Sequence, residues 1–139
     1  MAALPESARA LLASRAYGHL VTTNPSGTPQ LSMLWVDVDG DEVLINTSEG
    51  RAKTRNMRRD PRVLLSVQDR EEPQNYLLIH GRVTEITAEG ADEHIDLLAG
   101  RFLGLDSYPF RQPGEQRLIV RIAADRLAGL GPWAPPPGA

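Results

Sequence analysis

Two tight-turn signals, Asn24-Pro25-Ser26-Gly27 and Asp39-Gly40-Asp41, punctuate three short β-forming runs early in the chain. The runs are Tyr17–Thr23, a second that Pro29 opens and that continues through Leu31, Trp35 and Val36 to Val38, and Glu42–Asn46. Links this short join antiparallel neighbours, because parallel strands need a crossover of a dozen residues or more. Residues 17–46 therefore read as an antiparallel meander. Three further strands are predicted at Arg62–Val67, Tyr76–Thr87 and Gln116–Ala124, with the polar stretch Gln68–Asn75 as a hairpin loop. Gly81, in the middle of the longest, marks a bulge or sharp bend of the kind a sheet needs to curl.

Helices are few. Glu6–Ala16 sets Ala8, Leu11 and Leu12 on one side, and residues 90–103 place Ala91, Ile95, Leu98 and Phe102 on one stripe. The expected fold is mainly β (α+β), a barrel of six antiparallel strands with short flanking helices. A single domain over residues 1–130 would be followed by a Pro/Gly-rich tail at 131–139. There is no β-α-β alternation and no Gly-x-Gly-x-x-Gly, which disfavours a doubly wound nucleotide fold.

The remaining helix carries the charge. Residues 51–62 hold six basic side chains and one acid, a local net of +5 in a chain of net -3, so the rest sums to -8. Lys53 is the only lysine among fifteen basic residues. Thr47 and Ser48 stand ahead of this helix as N-cap candidates, and Pro61 ends it. A helix N-terminus with Arg51 and Lys53 in its first turn suits a phosphate or carboxylate. A solvated arginine-rich face is the competing reading. Nucleic-acid binding is disfavoured by the negative total charge and the 5% aromatic content.

With no cysteine, disulfides, thiolate catalysis and cysteine metal sites are excluded, and His19, His80 and His94 show no metal-ligand spacing. No metal site is expected. No apolar run approaches a membrane span and no signal peptide is evident, so a cytoplasmic protein is expected. Trp35 on a strand can serve core, interface or ring pocket. Tyr108 and Trp133 either cover a groove or pack a loop, and His80 reads as structural.

A helix, a strand ending in Thr22-Thr23, a turn with Gly27-x-Pro29-Gln30, and the run Arg51-x-Lys53-Thr54-x-Asn56-x-x-x-Asp60-Pro61 resemble the flavin-binding split-barrel superfamily, the pyridoxamine 5'-phosphate oxidase-like proteins. The second run, with Arg121 and Asp125-Arg126-Leu127 near the end, is similar to a branch of probable deazaflavin-dependent oxidoreductases of actinobacteria that use coenzyme F(420). The resemblance implies a homodimer with cofactor at the subunit interface. It implies Arg51 and Lys53 on the coenzyme phosphate, Asn56 in support, a hydroxyl from Ser48 or Thr47, and Gln30 and Ser32 beside the deazaflavin ring. No catalytic residue is implied, since the coenzyme carries the hydride. The implied activity is reduction of an unsaturated or conjugated small molecule. The alternatives are an FMN-dependent oxidoreductase of the same fold and a non-catalytic flavin- or deazaflavin-binding protein. Family members that oxidise pyridoxamine phosphate end in a basic, histidine-containing segment. Pro132–Ala139 has no basic residue, so that substrate is not expected.

Overall fold

The computed structural model describes residues 2–134. In chain order the elements are α1 (Glu6–Leu12), β1 (Tyr17–Thr23), β2 (Pro29–Trp35), β3 (Asp37–Asp39), β4 (Glu42–Ser48), α2 (Ala52–Arg59), β5 (Arg62–Gln68), β6 (Tyr76–Thr87), α3 (Ala91–Leu103) and β7 (Arg117–Leu130). The strands form one seven-stranded sheet in the order β2-β1-β5-β6-β7-β4-β3, antiparallel at every pairing and curled into a half-barrel. Among the described residues no helix is long and apolar enough to cross a membrane. Most of the expected tail, residues 135–139, lies outside the described residues.

The strand count of six is corrected to seven. The run from Pro29 to Val38, a single strand by its β-forming residues, breaks at Val36. Up to Trp35 the chain pairs with β1, and from Asp37 it pairs with β4, at the opposite edge of the sheet. The chain itself thus crosses from one free edge to the other within a residue. Val36 is fully buried at this corner, and a Cβ on Gly18 would stand 2.6 Å from its Cγ1. Glycine at 18 is what lets the corner press against β1.

β6 shows why the last strand is longer than expected. It runs twelve residues, and both halves need a partner on the side away from β5. β7 supplies one by continuing past Ala124, where the strand was expected to end, to Leu130, so Asp125-Arg126-Leu127 belongs to the strand and does not turn. The register passes from His80↔Arg126 to Gly81↔Ala124, which leaves Asp125 unpaired as a bulge, and a second shift leaves out Thr84 on β6. Gly81 lies at the first bulge, as its position suggested. A Cβ there would meet the Ala123 carbonyl oxygen at 2.6 Å and Ile122 Cγ2 at 2.9 Å.

Alternating residues of the central strands, among them Leu20, Ile45, Leu65, Ile79 and Ile122, fill the concave side, and α1 closes it with Ala8, Leu11 and Leu12. The helix stops at Leu12, short of the expected Ala16. Trp133 belongs to this core, and its Nε1 donates to the Tyr76 carbonyl at 2.8 Å. Ile95, Leu98 and Phe102 of α3 form a second, smaller cluster with Trp35 and Tyr108, outside the barrel proper.

Gly81→Ala places a methyl against backbone rather than against a side chain that can rotate away, so the strands must part. Overpacking of this kind costs ~1–3 kcal/mol. Urea denaturation should show a lowered midpoint with an unchanged slope.

Candidate functional site

The second cluster forms one wall of a pocket of about 180 Å³. Trp35 stacks on Phe102 with ring centroids 5.3 Å apart and planes 6° off parallel. Tyr108 meets Trp35 edge-on at 6.1 Å, and Tyr17, at the start of β1, tilts against Phe102 at 5.4 Å. Met33 and Leu34 of β2 and Ile95 and Leu98 of α3 extend this apolar lining. The α3 stripe read from sequence thus serves the pocket rather than the barrel core.

The opposite wall is cationic. β4 ends at Ser48, a turn through Glu49 and Gly50 reverses the chain, and α2 begins. Arg51 is its N-cap residue, Lys53 lies in its first turn, and both line the pocket with Arg117 of β7. The expected capping by Thr47 or Ser48 does not occur: both residues belong to β4, and no side chain caps α2. Their groups are used otherwise. Arg51 Nε donates to Ser48 Oγ at 2.9 Å, and Thr54 Oγ1 donates to the Ser48 carbonyl at 2.9 Å. The first turn of α2 carries no acid, so the positive end of the helix is not neutralised from within.

Burial pushes the Lys53 ammonium below its ordinary range, and repulsion from Arg51 and Arg117 adds to the effect. Arg117 is buried, with its guanidinium carbon 5.1 Å over the Tyr108 ring and an ion pair to Glu115. Burial pushes the Glu115 carboxyl up, but the Gln112 N–H, Arg117 and Arg51 together hold it below the usual range. Three cations thus converge, and Glu115 pairs with one of them, Arg117. Among the described residues neither Arg51 nor Lys53 forms an ion pair.

The residues singled out from sequence fall into two groups. Thr47, Arg51 and Lys53 line the pocket, and Ser48 reaches it through Arg51. Gln30, Ser32 and Asn56 sit together elsewhere. Thr22 Oγ1 donates to Gln30 Oε1 at 2.8 Å, and Gln30 Nε2 donates to Ser32 Oγ at 2.9 Å. Asn56 Nδ2 donates to Thr22 Oγ1 and to Asn24 Oδ1, each at 3.0 Å. Buried Asn56 therefore ties α2 to β1 rather than reaching the pocket. The other arginines of the basic helix are also engaged. Arg58 grips Glu49 with both terminal nitrogens, Arg55 bonds the Gly50 carbonyl, and Arg59 bonds the Thr23 carbonyl and Asn56.

Asn46, Arg117, Tyr17 and Phe110 also line the pocket, and no motif in the sequence singles them out. A signal was available for the ground behind them: His94 interrupts the apolar stripe Ala91, Ile95, Leu98 as a polar residue on a buried face.

A family model described as pyridoxamine 5'-phosphate oxidase matches residues 4–130. Among solved structures, an F(420) reductase is 30% identical, covered over 90% of this chain and 98% of its own, with a TM-score of 0.79. A conserved hypothetical protein from Mycobacterium tuberculosis is 25% identical over 93% of this chain and 87% of its own, with a TM-score of 0.68. A putative pyridoxamine 5'-phosphate oxidase from Listeria innocua, 18% identical over 87% of this chain and 93% of its own, has a TM-score of 0.65 and speaks to the fold. The match over residues 4–130 takes in every strand of the sheet, and the chain accordingly belongs to the pyridoxamine 5'-phosphate oxidase family of flavin-binding split-barrel proteins.

Proposed function

We propose that this chain is an oxidoreductase that binds the deazaflavin coenzyme F(420) and serves reduction of an unsaturated or conjugated small molecule. The observation that carries the reading is the pair Arg51 and Lys53, two cations without a carboxylate partner at a helix N-terminus, facing an aromatic wall. A phosphate suits the first feature and a planar ring the second. When bound, the reduced coenzyme supplies the hydride. The protein's own residues bind and orient: Arg51 and Lys53 hold phosphate, Thr47 and Ser48 add hydroxyls at that end, and Trp35, Tyr17 and Tyr108 exclude water from the ring end.

The preference for the deazaflavin draws support from the similarity to an F(420) reductase. Binding of FMN is the second reading, and one observation favours it. Arg55, Arg58 and Arg59, the other arginines of α2, are occupied by Glu49, by backbone carbonyls and by Asn56, so Arg51 and Lys53 remain the main attraction for an anion, and FMN offers the same phosphate. We place the protein in the cytoplasm of an actinobacterium, and its other partner is the small-molecule substrate.

We further propose a homodimer that completes the site. A pocket of about 180 Å³ is smaller than the ~300–1,000 Å³ usual for ligands of drug size. On the adjoining edge strand β2, Leu31 and Met33 stand 62% and 63% exposed, and Met33 also lines the pocket. A second copy covering that face would bury them and supply the missing wall. Gln30 and Ser32 lie outside the pocket lining of the single chain, and we assign them to the coenzyme's ring only in the completed dimer. Sedimentation should give twice the 15.2 kDa chain mass, and Leu31→Glu with Met33→Glu should yield monomers that bind coenzyme poorly. A stable wild-type monomer at micromolar concentration overturns the proposal.

For Lys53→Ala, loss of a charge-assisted hydrogen bond worth ~1.5–3 kcal/mol should weaken coenzyme binding roughly 10- to 150-fold. Because folding depresses the Lys53 pKa, the charged ammonium opposes folding at neutral pH, and that opposition fades as pH rises through the depressed value toward the unfolded one. The ligand-free alanine variant should therefore melt no lower than wild type at pH 7. Titrating wild type and variant with coenzyme F(420) and with FMN, and melting each without ligand, checks both statements. Normal binding by the variant overturns the site, and a wild type that binds only FMN selects the second reading.

A further inference from the structure

Behind the cationic wall lies a chain of buried polar groups that the binding argument leaves unused. Asp37 of β3, Asn46 of β4, His94 of α3 and Arg117 of β7 are all buried and joined side chain to side chain. Arg117 Nε donates to Asn46 Oδ1 at 2.8 Å, and Asn46 Nδ2 donates to the Ala91 carbonyl at 2.9 Å. A guanidinium only donates and a carbonyl only accepts, so these two partners fix which way the amide points. The Asn46 Nδ2 that stands 3.2 Å from His94 Nδ1 is then a donor, and Nδ1 must accept. The His94 proton sits on Nε2, which donates to Asp37 Oδ2 at 3.0 Å, while the other Asp37 oxygen takes Arg101 at 3.0 Å. The surroundings select the neutral Nε2–H tautomer.

We propose that His94 is a positioning residue for the pocket: its neutral imidazole holds Asn46, Asn46 aims the Arg117 guanidinium, and protonation of His94 releases that hold. The proposal rests on the reading of the pocket as a phosphate and ring site. A proton on Nδ1 would face the Asn46 amino group, donor against donor. The amide must rotate to offer Oδ1, which turns its amino group toward Arg117 Nε–H and forfeits the Ala91 carbonyl. Arg117 then keeps Glu115 and the Tyr108 face but loses the bond that sets its angle. The charged groups around the imidazole are Asp37 from β3, with Arg101 beyond it on α3, and Arg117 with Glu115 on the β7 side. Burial raises the Asp37 carboxyl, but His94, the Val38 N–H and Arg101 bring it below its ordinary range, so it stays an anion as the imidazole takes up its proton.

The test compares wild type, His94→Gln and His94→Leu by fluorescence titration with coenzyme F(420) across pH. Glutamine offers Asn46 an acceptor and Asp37 a donor, yet does not titrate. Wild-type affinity should fall about tenfold as the imidazole protonates, the worth of one hydrogen bond to a charged group. His94→Gln should bind within about threefold of wild type at the alkaline end and keep that affinity on acidification, since its hydrogen bonds are retained. His94→Leu should bind weakly at every pH. A glutamine variant with the wild-type pH profile, or a folded leucine variant with wild-type affinity, overturns the proposal. If His94→Leu does not fold, the glutamine profile decides alone. If wild type binds no coenzyme, the cofactor reading fails and the ligand-free protein decides this one by nitrogen-15 NMR. An Arg117 Nε–H signal that follows His94 titration in wild type and stands still in His94→Gln supports it, and a signal indifferent to His94 overturns it.

Discussion

The register of β4 against β7 sets the geometry on which the pocket depends. Asn46 lies opposite Ile119 and Ser48 opposite Arg117, so Arg117 reaches diagonally to Asn46 while Ser48 is free to hold Arg51. Side chains alternate along a strand, and a slip of one residue would send Asn46 and Ser48 to the other face. The same ladder delivers the chain into α2 beside the pocket, since β4 ends where the helix-leading turn begins. β3 continues this end of the sheet, and its Asp37 closes the polar chain against α3.

Two electrostatic regimes meet across a few side chains. Asp37, His94, Asn46 and Arg117 are buried and mutually bonded, and half-buried Glu115 pairs with Arg117, as desolvated charges must be if they are not to cost several kcal/mol each. Among the described residues no buried side-chain nitrogen or oxygen lacks a partner. Arg51 and Lys53 stand apart from this economy. Lys53 is partly desolvated beside two like charges and has no acid of its own. In the proposed reading, a bound anion would relieve the repulsion that folding imposes on Lys53.

Much of the framework was legible in the residues. Turn chemistry at Asn24–Gly27 and Asp39–Asp41 gave two hairpins, β1–β2 and β3–β4, although these lie at opposite edges of the sheet and not in the single meander expected; the apolar spacing of Ala91, Ile95, Leu98 and Phe102 gave α3, and Pro61 gave the end of α2. The misses have physical causes. No local signal marks Val36 as a corner, because the run around it stays apolar and β-forming; the break comes from two sheet edges claiming its neighbours. β7 continues through the charged pair Asp125-Arg126 because half of β6 would otherwise lack a partner. Asn56 shares a helix face with Lys53 at the level of spacing, yet the end of β1 captures it.

By itself the sequence determined where charge is concentrated, which residue types could meet a phosphate, and the class of fold, because those follow from composition, local backbone preference and periodicity. Tertiary structure alone decided which of those charges, among the described residues, remain without a carboxylate or a backbone carbonyl as partner. Arg55, Arg58 and Arg59 look equivalent to Arg51 and Lys53 along the chain, but the fold gives the first three Gly50, Glu49 and Thr23 and leaves the other two facing aromatic rings. It also decided that His94, in the sequence only a polar break in the apolar stripe of α3, stands between Asp37 and Asn46. Pairing is a property of distance in space, and residues 37, 46, 94 and 117 come within hydrogen-bond reach only when β3, β4, α3 and β7 close on one another.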